Sequence, residues 1–175
     1  MMKSEPALRV GSMRNKHEAN MLKKIISGGQ TGVDRAALDA AIRLGIPHGG
    51  WIPKGRLTEE GPLPPSYRLD EMPSESYSER TEQNVMDSDG TLIICRGAPT
   101  GGTDYTRKMV LKHGKQMLHI DLSLHRNTRE AASLVASWIK MNRIGILNVA
   151  GPRASKDPAI YAAALALVTQ AVSGC

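Results

Sequence analysis

The chain has 175 residues, 41% of them hydrophobic and 23% charged, a globular composition long enough for one domain with a real core. Aromatic residues make up 3% and Phe is absent, which argues against a broad stacking surface for nucleic acid. The net charge is +6, but residues 1–24 hold six Lys and Arg against two Asp and Glu, which leaves only +2 for the rest. The basic balance is therefore mainly a property of the N-terminal stretch and does not by itself select a partner.

Two cysteines, Cys95 and Cys175, exclude a disulfide scaffold and a Cys-rich zinc site. No stretch approaches the roughly 18 to 20 apolar residues of a transmembrane helix, and residues 1–22 lack the apolar segment of a signal peptide. The expectation is a cytoplasmic protein with no membrane partner. Residues 1–22 read as a flexible basic leader and residues 23–175 as a single ligand-binding domain.

Along the domain, Lys24 to Ser27 reads as a short strand that runs into Gly28, Gly29, Gln30, Thr31 and Gly32. Val33, Ala36, Ala37, Ala40, Ala41 and Leu44 then recur on one face of a helix closed by Gly45. A weaker strand is expected over 48–52. Residues 53–75, rich in Pro, Gly and charge, read as a long surface loop with one short strand at 67–69. A helix is expected over 77–87 with Ser78 as N-cap, then a buried strand over 90–95. A Gly/Pro loop follows, then a helix over 103–113 and a strand over 116–122. Asn127 caps a helix through Met141. A strand over 144–149 and an Ala-rich helix over 157–172 complete the chain. Such alternation predicts an α/β fold, a three-layer sandwich with a mainly parallel sheet and helices on both faces.

Ligands bind such sheets at the carboxyl ends of the strands. Three strand-to-helix loops stand there: Ser27 to Asp34, Gly97 to Thr103, and Asn148 to Arg153. Glycines allow close backbone approach, and helix N-termini offer free N–H groups to an anion. Ten of the 17 glycines fall in these loops and the one at 49–56. None matches G-x-G-x-x-G or a Walker A sequence. In the 49–56 loop, Lys54 and Arg56 are candidate cations beside Trp51. Arg80 and Asn84 share a helix face, and Arg80 with Glu82 could supply a cation and a carboxylate. No histidine set, H-E-x-x-H or G-x-S-x-G pattern occurs, so no protein metal site is predicted. The residues thus point to a small phosphorylated ligand held by Gly28, Gly29, Gln30, Thr31, Gly32, Asp34, Lys54, Arg56, Arg80, Asn84, Gly101, Gly102, Thr103, Gly151 and Arg153. They declare no reaction.

In order, Gly28-Gly29-Gln30-Thr31-Gly32-Val33-Asp34-Arg35, Gly49-Gly50-Trp51-Ile52-Pro53-Lys54-Gly55-Arg56, Arg80-Thr81-Glu82-Gln83-Asn84-Val85, Gly101-Gly102-Thr103 and Ala150-Gly151-Pro152-Arg153 resemble the putative molybdenum carrier family. The resemblance covers roughly residues 24–172. It implies a Rossmann-like fold and a carrier of molybdenum cofactor, a pterin phosphate, with a nucleotide as the other candidate ligand. A homo-oligomer is left open. Arg80 and Pro99-Thr100-Gly101-Gly102-Thr103 are more distantly similar to lysine-decarboxylase-like phosphoribohydrolases of the Lonely Guy type, and related folds include a DNA-processing protein. The phosphoribohydrolase likeness implies an alternative, hydrolysis of a nucleotide derivative with Arg80 and Glu82 as candidate catalytic residues. In that pattern Thr106 stands where a catalytic Glu would be, and a hydroxyl cannot replace a carboxylate at neutral pH.

Overall fold

Chain alternation and pairing register decide this architecture. The computed structural model describes residues 22–173; the leader expected over 1–22 lies outside them except for Leu22, which is buried. Strand β1 (Lys24–Ile26) leads into helix α1 (Val33–Leu44), and Gly45 ends the helix in the left-handed region at φ 68°. The strand expected over 48–52 is two short strands, β2 (His48–Gly49) and β3 (Trp51–Ile52), broken at Gly50, whose φ of 119° takes the chain off the main sheet.

The 53–75 segment is more ordered than its composition suggests. Strand β4 (Leu57–Thr58) pairs antiparallel with β5 (Gly61–Pro62), and β6 (Asp70–Glu71) pairs parallel with β3. The short strand expected at 67–69 falls instead at β6, because pairing with β3 and not propensity sets its position. Tyr67 packs against Leu38, Ile52, Leu63 and Leu69, a small satellite core beneath the segment.

Helix α2 (Tyr77–Met86) follows. Its N-cap is Ser76, not Ser78: Ser76 Oγ accepts from Glu79 N at 3.2 Å, three residues on, as capping geometry requires. Strand β7 (Gly90–Cys95) matches its expected bounds, and helix α3 (Gly101–Lys112) begins two residues earlier than expected. Strand β8 (Gln116–Asp121), helix α4 (Thr128–Met141), strand β9 (Ile146–Ala150) and helix α5 (Ile160–Val172) complete the fold. Asn127 caps α4 through its side chain, accepting from Arg129 N and Glu130 N.

The main sheet is parallel throughout, in the order β2-β1-β9-β7-β8. Ile25, Leu92, Ile94, Ile120, Leu147 and Val149 pack with α1, α4 and α5 in the main core. Side chains alternate along a strand, so Ile93, Cys95, Thr91 and Asn148 point to the other face, where α2 and α3 lie against each other. The fold is the expected α/β, Rossmann-like sandwich. Two polar side chains on the central strands of the second face, Thr91 and Asn148, mark where that face is not simply core.

Candidate functional site

The direction in which strands are added to the sheet reverses about β9. From β1 the chain runs to β2 at one edge, and from β7 to β8 at the other. A crevice at the strand carboxyl ends is expected at such a switch. A cleft of about 270 Å³ opens there. Its floor is the end of β9, from Asn148 to Gly151. Asn148 is held by a bond from its Nδ2 to Thr91 Oγ1 at 3.2 Å.

The first glycine loop forms one wall, but the amides of Gly29, Gln30 and Thr31 are engaged within the protein. Gly29 N donates to Ser27 Oγ, Gln30 N to Asp34 Oδ2 and Thr31 N to Gln30 Oε1. Val33 N, at the start of α1, donates to Pro152 O at 3.2 Å. Gly28, Gln30 and Asp34 line the cleft. Gly29 faces the satellite core instead, where a Cβ would meet Leu63 and Leu69 at 2.9 Å. Gly32 lies against the β9–α5 loop, where a Cβ would stand 2.3 Å from Pro152 O. Thr31 is taken up by Glu59, to which its hydroxyl donates, and by Ala154, whose amide donates to it. Burial would raise the Glu59 carboxyl, but hydrogen bonds from Ser155 and Thr31 hold it below its usual range.

The N-terminus of α3 is the open one. Thr100 makes no side-chain cap. Thr103 N and Asp104 N donate to Thr100 O, and among the described residues nothing accepts from the amides of Gly101 and Gly102. The Lys156 ammonium lies beside this terminus, 2.8 Å from where a Cβ on Gly101 would stand. Among the described residues it has no counter-ion. A cation against the positive end of a helix dipole is unfavourable unless an anion lies between them.

Arg80 reaches the cleft from α2 and is only 7% exposed. Its Nη1 donates to Gly28 O, and its buried Nε has no partner among the described residues. Its guanidinium lies 5.7 Å from the Tyr77 ring centroid and 3.7 Å from Asp34 Oδ2. Burial lowers the Arg80 pKa while Asp34 opposes that shift. For Asp34 burial dominates: despite Arg80, its carboxyl is raised to about 6.

Of the remaining expected residues, Gly102, Thr103, Gly151 and Arg153 line the cleft, and Gly101 stands at its edge. Asn84 lines it too, but its amide is committed to Trp51, accepting from Trp51 N at 2.8 Å and donating to Trp51 O at 3.1 Å. Three charged candidates are elsewhere. Lys54 is exposed on the 53–75 segment side. Arg56 aims its guanidinium at four carbonyls of its own segment, those of Leu63, Pro64, Tyr67 and Leu69. Glu82 pairs with Lys112 and His113, both at 2.7 Å, and ties α2 to α3 away from the cleft. Thr106 lines the cleft, with its hydroxyl donating to Gly102 O.

Residue patterns did not single out Tyr77, Tyr105 or Lys156. Tyr77 had a usable signal, since it stands three residues before Arg80 on the same helix face. Lys156 had none, because only the packing of the β9–α5 loop against α3 brings it in. Adjacent strands also bring Cys95 Sγ within 3.1 Å of His119 Nε2. Burial pushes that thiol up to about 11, so it is not a nucleophile at neutral pH.

No group of three or more His, Cys, Asp or Glu among the described residues could hold a metal ion. No described helix is long and apolar enough to cross a membrane. No curated protein matches the chain. A crystal structure of a putative molybdenum carrier protein from Syntrophus aciditrophicus SB is 52% identical, with a TM-score of 0.84 over 87% of this chain and 96% of that one. The resemblance drawn from the ordered motifs thus holds. The model of the circularly permutated YpsA SLOG family matches residues 25–172, nearly the whole described fold, and the chain belongs to that family.

Proposed function

We propose that the cleft binds a small phosphorylated ligand, a pterin phosphate such as molybdenum cofactor or a nucleotide, and that the protein carries it rather than transforms it. One observation carries the reading. The open N-terminus of α3, Lys156 and the incompletely paired Arg80 bring positive charge to one cleft with a single carboxylate among them. An anion with several acceptor oxygens answers all three. The Gly101 and Gly102 amides and Lys156 would take its phosphate, with Arg80 and Arg153 as further cations. Tyr77 and Tyr105 are the aromatic side chains available to a planar ring. The cleft volume lies just below the usual range for small-ligand sites. The carrier name of the 52% identical relative makes molybdenum cofactor the first ligand to try.

The orphaned Arg80 Nε and the uncapped helix end fit the phosphate of that group. The chain's own part would be to bind and orient it and to shield it from water. Hydrolysis through Arg80 and Glu82 has little support, because Glu82 is engaged with α3 on the outside. Native mass spectrometry of gently purified protein, followed by calorimetric titration with guanosine 5′-monophosphate (GMP) and a pterin phosphate, tests the reading. Micromolar binding without release of base or phosphate is expected. If neither compound binds, the reading fails.

A further inference from the structure

We infer that the cleft takes its anionic ligand together with a proton, and that Asp34 is the residue that holds the proton. The inference rests on the ligand-binding reading above and makes Asp34 a residue that selects the charge of what is bound.

Asp34 is the one carboxylate among the described residues that line the cleft. It is 8% exposed, so solvent does little to stabilise its charge. Its ion pair is incomplete. The closest approach to Arg80 is 3.7 Å, longer than a hydrogen bond, and that same Nη1 donates to Gly28 O. Its Oδ2 accepts a backbone bond from Gln30 N at 3.3 Å. The other charges around it are all cations. Arg80 faces it from α2, Arg35 acts on it from its own helix, and Arg153 acts on Arg80 from the β9–α5 loop. Those cations draw an anion into the cleft, and the anion then meets the Asp34 carboxylate. An anion bound by Arg80 therefore comes close to Asp34, and in a site this dry two neighbouring negative charges do not both persist, so one of them takes a proton. Protonated Asp34 can donate to a ligand oxygen, whereas the carboxylate can only accept. Its carboxyl already titrates near pH 6 in the free protein, so the change lies within easy reach.

The magnitude follows from that value. If only protonated Asp34 admits the anion, apparent affinity scales with the protonated fraction, about one in ten at pH 7 and about one in a hundred at pH 8. Calorimetry of the full chain with GMP at pH 7, in two buffers of different ionisation enthalpy, reads the protons exchanged. The wild type should take up about 0.9 proton per ligand more than Asp34→Asn. The Asn variant should bind GMP about tenfold tighter at pH 7 and lose the Asp34 part of the pH dependence. A carbon-13 titration of the wild-type carboxyls needs no variant. The Asp34 pKa should move from about 6 to above 7 on saturation with GMP. An unmoved Asp34 pKa, or an Asn variant that binds no tighter and exchanges the same protons, overturns this inference while leaving ligand binding intact. Failure of both proteins to bind GMP or a pterin phosphate overturns the ligand-binding reading, and this inference with it.

Discussion

Replacing Arg56 with Ala should cost stability, not ligand contact. The residue sits in the left-handed region at φ 56°, where a side chain other than Gly is strained by about 1 kcal/mol. What holds it there is its fork. Nε donates to Leu63 O at 2.9 Å, Nη1 to Leu69 O at 3.1 Å, and Nη2 to Tyr67 O at 2.7 Å and Pro64 O at 3.1 Å. The Pro64 bond is exposed and counts for little; the other three are partly buried. At about 1 kcal/mol net for each of those three, Arg56→Ala should lose about 3 kcal/mol. Arg56→Gly should lose less, because Gly relieves the φ strain, though part of that gain is lost to a freer unfolded chain. Arg56→Lys keeps the charge but not the fork, and should fall nearer to Ala than to wild type. Urea unfolding measures the total. With a slope of about 2 kcal/mol per molar, the Ala midpoint should drop by about 1.5 M. Hydrogen exchange should rise first over residues 53–75, which the fork organises. A loss below about 0.5 kcal/mol with unchanged exchange there would refute the reasoning. GMP affinity that falls while exchange over 53–75 stays unchanged would return Arg56 to the ligand.

Three further outcomes are expected. Gly28→Ala puts a Cβ 1.7 Å from Arg80 Nη1. The buried guanidinium and the Asp34 carboxylate, 2.8 Å from that Cβ, must both shift, so GMP affinity should fall about as far as in Arg80→Ala, at least tenfold by calorimetry, and the melting temperature should fall with it. Ser76→Ala should destabilise by about 1 kcal/mol in denaturant unfolding, and Ser78→Ala by less than about 0.5, since Ser76 caps α2. Asp121 accepts from Ser123 Oγ, Ser123 N and Gly97 N, and its carboxyl is held down at about 2. A depressed folded pKa stabilises above the usual value of 3.8, and that stability is lost as pH falls toward 2. Asp121→Asn should therefore flatten the acid limb of the melting-temperature curve between those values, which a pH series of thermal scans reads.

The sequence by itself determined most elements of the main sheet and their succession along the chain, because their signals are local. The Ala-rich face of α1 with Gly45 behind it, the apolar run of β7 and the Asn127 cap each lie within one short window. Glycines at strand ends also marked the side of the sheet where the cleft lies. Tertiary structure alone decided which of those loops stays open. In the first loop the amides of Gly29, Gln30 and Thr31 are bonded to Ser27, Asp34 and Gln30, the Thr31 hydroxyl to Glu59, and Gly32 packs against Pro152, while among the described residues nothing accepts from the amides of Gly101 and Gly102 beside Lys156. It also turned Arg56 and Glu82, two charges that looked like ligand groups, toward carbonyls and cations of the protein itself. The physical reason is range. Helix periodicity and capping act over about four residues, whereas the partners of Arg56 and Glu82 lie from 7 to 31 residues away, and composition carries no record of that distance.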